Sequence, residues 1–305
     1  MPLTPAAEGE VAFVDRLARH LRPGAGDGEG SNNWVYRLGD RGDAIVLKLG
    51  KPHRADVTAA EHAKERWCAA AARAVGVATP EILAVGSFEG RPYQLSTLAP
   101  GRLPTAAEHP RVWAALGVWA RAIHGVPVGG WGPRLVRDGI FAEDWSRRVA
   151  YNIEALGADD PLRGLGVLDA ASSLDLKARF ERLGGRAFRF ALTHADLSPR
   201  NVLVDDGAGG ALTLIDWGCA GAFAAPHHEL NEIIRTGSAT PAQIDIFRRA
   251  YGLSDEAFAA VTADLPELAA LREVDTLRWG VEHGRPELGE LIVRAKRALV
   301  RLRAW

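Results

Sequence analysis

Cysteine is nearly missing from this chain. Cys68 and Cys219 are the only two among 305 residues, too few and too far apart for a disulfide framework or a zinc site. Cys219 is expected to be a small packed side chain rather than a reactive thiol. Long apolar runs are missing too. No stretch of about 18 apolar residues occurs, so no membrane span is predicted. The first residues lack the basic segment and apolar core of a signal peptide, which makes the cytoplasm the expected compartment. Nor does one sign of charge dominate: 37 Lys and Arg stand against 38 Asp and Glu. A general nucleic-acid binder would show a basic excess. Repeats and low-complexity tracts do not occur. What remains is a globular protein whose expected partner is a small molecule, neither nucleic acid nor membrane.

A chain of 305 residues exceeds the size at which a single core keeps growing, so two lobes are predicted. Apolar periodicity predicts a helix over 8–22, then a glycine-rich loop over 23–30. Strands follow over 33–38 and 44–49, a helix over 56–75, and strands over 82–88 and 93–98. Pro100 to Pro104 reads as a hinge. Beyond it nearly everything is expected to be helical: 106–126, 142–156, 174–183, 226–236, 241–251, 254–262 and 267–302, the last broken near 284–286. Residues 129–133 read as a loop and 188–192 as a strand. The predicted fold class is α+β and bilobal: a small, mostly β amino-terminal lobe over 1–98 that binds a nucleotide, and a helical catalytic and substrate-binding lobe over 99–305.

The chemistry is concentrated in two segments. Residues 194–201 read His-Ala-Asp-Leu-Ser-Pro-Arg-Asn, and Asp216 of Ile215-Asp-Trp-Gly218 lies fifteen residues past Asn201. Apolar, strand-like residues flank the turn 205–210, so the two loops are expected side by side on a hairpin. Phosphoryl transfer needs an attacking hydroxyl to be oriented and magnesium to be held against the phosphate. Asp196 is the candidate base, a role typically worth about 10²–10⁴ in rate. Asn201 and Asp216 offer a neutral and an anionic oxygen, a set that suits magnesium. Taken singly, these residues also read as a turn cap, a turn asparagine and a strand-end cap; the joint spacing favours catalysis. His194 belongs to the catalytic group, where a hydrogen-bonding task fits it better than acid or base duty.

Lys48 ends a strand in the first lobe, where an ammonium could neutralise nucleotide phosphates if a helical glutamate held it. Glu65 is chosen over Glu61 for that pair. The run from Gly24 to Gly30, followed by Asn32 and Asn33, reads equally as a loop that covers phosphates through its N–H groups or as a flexible linker.

On these residues the chain resembles the aminoglycoside phosphotransferase/choline kinase family of small-molecule kinases. His194-x-Asp196 with Asn201 is similar to that family's catalytic loop, and Ile215-Asp216-Trp217 to its metal-binding segment. Lys48 is similar to the lysine on the third strand, Asn32-Asn33-Trp-Val-Tyr36 to its nucleotide-loop element, and Ala120-Arg-Ala-Ile-His124 to a supporting segment. The resemblance covers most of 24–236. It implies a protein-kinase-like fold, ATP or GTP with Mg2+ as cofactors, a nucleotide base against the backbone near Ser96 and Leu98, and a role in antibiotic resistance. Two departures stand out: Ala195 replaces a more usual glycine, and Glu229 supplies the anion where an aspartate is common. The stretch with Trp131-Gly-Pro133 and Asp144-Trp145 resembles hygromycin-type phosphotransferases.

Residues 226–290 hold 12 carboxylates against 6 arginines, while 291–305 add five positive charges and no negative ones. An acidic lobe would attract a cationic hydroxyl substrate; solvated helix faces are the plainer account. Glu229, Glu232, Asp275 and Glu282 are the candidate substrate residues. Three functions compete: a kinase of aminoglycoside-type antibiotics, a metabolic kinase of an amino alcohol or sugar, and a nucleotide-binding pseudokinase without turnover. A protein kinase is disfavoured, because no Ala-Pro-Glu or activation-loop length follows Asp216.

Overall fold

The structure, a computed structural model, describes residues 28–29, 33–38, 44–51 and 54–303. The helix predicted over 8–22, most of the glycine run and Asn32 lie outside the described residues. The first part is an antiparallel sheet of β1 (Gly28–Glu29), β2 (Asn33–Leu38), β3 (Ile45–Gly50), β4 (Ile82–Phe88) and β5 (Arg91–Thr97), ordered β1-β2-β3-β5-β4. Side chains alternate across a strand. Ile45, Leu47 and Leu49 of β3 therefore pack with Tyr93 and Leu95 on one face, while Lys48 projects from the other. Helix α1 (Ala55–Ala74) lies on that second face and buries Cys68, Ala69 and Ala72.

The remainder is mostly helical, as the apolar periodicity predicts. Helix α2 (His109–Ile123) buries Val112, Trp113, Leu116, Ala120 and Ile123 along one stripe. The next segment corrects the expectation. Residues 129–133 are not simply a loop, because β6 (Trp131–Arg137) and β7 (Ile140–Glu143) form a hairpin. It joins β8 (Phe190–Thr193) and β11 (Gly221–Ala224) in the order β7-β6-β11-β8. Glycine and proline hide the strand period locally; pairing with distant β11, where Ala222 faces Gly132, settles it.

Helices α3 (Trp145–Glu154), α4 (Pro161–Gly164) and α5 (Ala170–Gly184) follow. The last starts earlier than predicted, because Asp169 and Ser172 form a capping box. Strands β9 (Val202–Asp205) and β10 (Ala211–Leu214) make the expected hairpin. Helices α6 (His227–Thr236), α7 (Pro241–Tyr251), α8 (Asp255–Glu282) and α9 (Leu288–Arg303) complete the described chain.

The break predicted between 262 and 267 does not occur: α8 runs through Pro266. An interior proline costs about 3 kcal/mol, but both flanks are anchored. Val261 and Leu265 belong to one core, and Ala270, Leu271, Val274 and Leu277 to a second. The proline sits at the seam between them. A buried ion pair ties the second core together: Arg278 Nη2 lies 2.7 Å from Asp160 Oδ2 and its Nη1 donates to Asn152 Oδ1 at 2.6 Å. Among the described residues, no helix is long and apolar enough to cross a membrane.

Candidate active site

Strand β8 ends at Thr193, and the chain turns at once through Ala195, whose φ is +62°. That left-handed turn aims Asp196 into an open cleft before a turn of 3-10 helix, Pro199–Asn201, leads into β9. Asn201 donates its amide to the Asp196 carbonyl at 2.7 Å and to Asp196 Oδ2 at 2.9 Å. Arg200 Nη2 holds the other oxygen, Oδ1, at 2.5 Å. The carboxylate is thus oriented from both sides, and the amide oxygen of Asn201 stays available for another partner.

The β9–β10 hairpin carries the chain back to Asp216, held at φ +64° and ψ +73°. Its carboxylate is half exposed, with Oδ1 3.6 Å from Lys48 Nζ. Trp217 anchors the turn from behind: it is buried, its Nε1 donates to Thr79 Oγ1 at 2.8 Å, and its ring meets His194 edge-on at 4.8 Å. His194 is fully buried, with Nε2 3.1 Å from the Ile215 carbonyl. It joins the two loops from the inside and does not reach the cleft, so it is a positioning residue rather than an acid or base.

Lys48 Nζ donates to Glu65 Oε1 at 2.6 Å, whereas Glu61, one turn earlier on α1, pairs with Arg54 at 3.4 Å. Burial works against the charge on Lys48, but Glu65 and then Asp216 outweigh it and raise its pKa above the ordinary value. Three elements far apart in sequence, β3, α1 and the loop after β10, thereby meet at one ammonium group.

Other candidates fall elsewhere. Asn33 Oδ1 lies 3.2 Å from His62 Nε2 and ties β2 to α1. Ser96 is buried inside the sheet between Val46 and Ile82, and the Leu98 N–H donates to the Ala44 carbonyl at 3.3 Å. That donor is spent within the sheet region.

The four acidic substrate candidates are largely neutralised by neighbours. Glu229 is fully buried and never meets a solute. Its Oε1 accepts the His194 N–H at 2.6 Å, and both oxygens accept the Ala195 N–H at 3.1–3.2 Å. His124 Nε2 faces it at 3.9 Å. Burial pushes the Glu229 carboxyl up, but the neighbouring His124, ahead of all other contributors, holds it below the usual value overall. Glu232 pairs with Arg235 at 2.6 Å and with Arg272; Asp275 pairs with Arg148 at 2.5 Å and takes the Asn152 amide at 2.9 Å. Glu282 accepts from the Tyr151 hydroxyl at 2.8 Å. Of the four candidates, three are therefore taken by buried N–H groups or arginines and Glu282 by a neutral hydroxyl.

The cleft in front of Asp196 encloses about 620 Å³. Its walls include Trp131, Trp145, Phe223 and His228. Lys64, Arg148, Arg200, Arg235 and Arg272 stand there against Glu61, Glu143, Asp196, Glu232 and Asp275, so the lining charges balance. Burial, helped by Arg272, lowers the pKa of His228 to about 3 and keeps it neutral. Cys219 corrects its expectation: it is exposed on the cleft wall, not packed. Burial, then Asp196 and Asp216, raise its thiol pKa, so the neutral thiol prevails there.

Several site residues escape sequence reasoning. Buried Lys64 donates to the Gly218 carbonyl at 2.7 Å and clamps the Asp216 loop to α1. Nothing in the local pattern separates it from a surface lysine. Arg200 and Thr79 are equally silent, since their partners come only with the folded loops.

Comparison with known proteins bears on the family and the fold. The profile of the phosphotransferase enzyme family (APH) matches residues 24–273. Aminoglycoside phosphotransferase APH(4)-Ia superposes with a TM-score of 0.66 at 20% identity, covering 97% of this chain and 99% of that one. A GDP and kanamycin complex of a second aminoglycoside phosphotransferase gives 0.63 at 18%, covering 97% and 98%. Plasmodium vivax ethanolamine kinase gives 0.56 at 10%, covering 88% and 78%. No curated protein matches the chain. Identities this low speak for the fold alone, whereas the profile spans most of the sequence. The chain belongs to the phosphotransferase enzyme family.

Proposed function

We propose that this chain moves the γ-phosphoryl group of ATP or GTP to a hydroxyl of an aminoglycoside-type antibiotic. One observation carries the reading: Asp216, which joins the Lys48–Glu65 pair, and the oriented Asp196 both act electrostatically on Cys219, on the wall of the cleft in front of Asp196. Asp196 accepts the proton of the attacking hydroxyl while Arg200 and Asn201 hold its oxygens in place. Lys48, kept charged by Glu65, takes the phosphate oxygens of the nucleotide. Asn201 Oδ1 and Asp216 are the groups that would hold magnesium. Among the described residues no cluster of three or more His, Cys, Asp or Glu assembles. One carboxylate and one amide oxygen fit an ion that keeps waters and shares phosphate oxygens. When bound, magnesium supplies neutralisation of the charge on the transferring phosphate.

The structures that resemble this chain include a protein bound to GDP and kanamycin and one bound to AMP-PNP and hygromycin B. They support the nucleotide and the antibiotic class. The balanced charge of the cleft favours a second reading, a metabolic kinase of an amino alcohol or sugar, over a polycation trap. A pseudokinase would be expected to lack one of Asp196, Asn201 and Asp216; all three are in place.

Nucleotide consumption with magnesium, measured over a panel of aminoglycosides, amino alcohols and sugars, tests the reading. Asp196→Asn should keep nucleotide-dependent thermal protection and reduce turnover by at least about 10². Near-normal turnover in that variant would overturn the assignment of the base.

A further inference from the structure

Every carboxylate on the cleft wall but one has a partner. Asp275 is taken by Arg148 and Asn152, Glu232 by Arg235 and Arg272, Asp196 by Arg200, and Glu61 by Arg54. The carboxylate of Glu143, at the end of β7, makes no hydrogen bond and no ion pair among the described residues. The two arginines nearest in charge do not neutralise it. Arg148 is spent on Asp275, and Arg134 on β6 forms no ion pair with it. Burial pushes the Glu143 carboxyl above its ordinary pKa, and the pull of Arg148 does not cancel that.

The surroundings keep a place for this group. A Cβ on Gly132 would stand 2.9 Å from Glu143 Cδ, and Gly132 itself adopts φ +98°. The bare glycine leaves room for the carboxylate and takes a backbone angle that other residues resist. Trp131 is the cross-strand partner of Glu143, and its ring meets Trp145 at 5.5 Å and Phe223 at 6.1 Å. Trp131, Glu143 and Trp145 thus share one wall of the cleft, with Gly132 leaving room for the carboxylate. A partly desolvated, uncompensated carboxylate beside aromatic faces is complementary to an organic ammonium ion.

We infer that Glu143 selects the acceptor by receiving one ammonium group of it against the Trp131–Trp145 wall, an inference that rests on the kinase reading of the cleft. The acceptor class is then a hydroxyl compound with an amine that enters the cleft. Any further amines stay in solvent, because the wall offers no second unpaired carboxylate among the described residues.

The test is equilibrium binding by calorimetry, with kanamycin and ethanolamine each compared with its N-acetylated form. The wild-type chain should prefer the free amine of at least one pair by about tenfold, the size expected for one charge-assisted contact. Glu143→Gln should erase that preference, and Glu143→Asp, which keeps the charge, should restore part of it. Gly132→Ala, which displaces the carboxylate without removing it, should weaken the preference as well. A wild-type chain with no preference for the free amine, or a Glu143→Gln variant that keeps it, overturns the inference. Turnover is read separately with Asp196→Asn. Loss of turnover there with the amine preference intact supports both readings; unchanged turnover defeats the assignment of Asp196 as the base, and a wild-type chain whose nucleotide consumption no acceptor stimulates defeats the kinase reading, with the binding result left to judge Glu143.

Discussion

Ala195 shows how one residue bears the cost of aiming another. Its φ of +62° belongs to a region that costs an L-residue with a side chain about 1–2 kcal/mol. The turn persists because Glu229 accepts the N–H groups of His194 and Ala195 as the chain enters the bend. Ala195→Gly should therefore raise the stability of the protein by about 1 kcal/mol, less the entropy that glycine loses on folding. Chemical denaturation would measure it, and an unchanged or lower midpoint would show that the loop is not strained. Asp216 occupies the same left-handed region at φ +64°, where aspartate is tolerated better than most residues. At this scale much of the site was legible. The spacing of Asp196, Asn201 and Asp216 pointed to one locus, and Lys48 and Glu65 meet at 2.6 Å. Glu229 was misjudged as a substrate group because burial is not visible in a local pattern of charges.

Among the elements, α2 and α7 pack unusually closely, and the reason is one residue. A Cβ on Gly117 would stand 2.4 Å from the Phe247 carbonyl and 2.9 Å from both Ala250 Cβ and the Tyr251 nitrogen. The same contact lets the Tyr251 hydroxyl reach His124 Nδ1 at 2.9 Å, which sets the histidine that faces Glu229. Gly117→Ala should push the helices apart and destabilise the protein by about 1–3 kcal/mol. A melting temperature equal to wild type would show that the pair can separate freely. Strong apolar periodicity made most of the helices and the first sheet legible in the sequence. The β6–β7 hairpin was not, because its glycines and proline mask the alternation and its stability comes from β11. Helix α8 was divided at Pro266 for a comparable reason: the penalty of the proline is local, but the two cores that outweigh it are not.

For the molecule as a whole, Glu229 joins the helical region to the catalytic loop. It sits on α6, faces His124 at the end of α2, and caps the backbone after β8. Its folded pKa lies below the ordinary value of 4.5. The stability it contributes is therefore present above 4.5 and is lost as pH falls through the lower folded value. Thermal melts between about pH 7 and about pH 3 should show wild type losing stability on the acid side more steeply than Glu229→Gln. The variant should already be weaker at neutral pH by about 1–3 kcal/mol, since a neutral amide oxygen accepts the two N–H groups more weakly than the carboxylate and the amide NH2 cannot accept the Ala195 N–H at all. Parallel pH curves for the two proteins would remove Glu229 from this role.

The chemistry was set by the sequence itself: which acids and amides stand near the loop ends, and that a β region precedes a helical one. Short-range order carries that information, since a strand, a turn and a spacing are properties of neighbours along the chain. What only the tertiary structure decided is which charges remain free. Twelve carboxylates between 226 and 290 look like an acidic face when counted, yet Glu229, Glu232, Asp275 and Glu282 are each taken by groups that folding brings to them. Glu143, outside that tally, is the one left unpaired on the cleft wall among the described residues. Ion pairing acts over a few ångströms in space, whatever the separation in sequence, so the fold alone determines which carboxylate can meet a ligand.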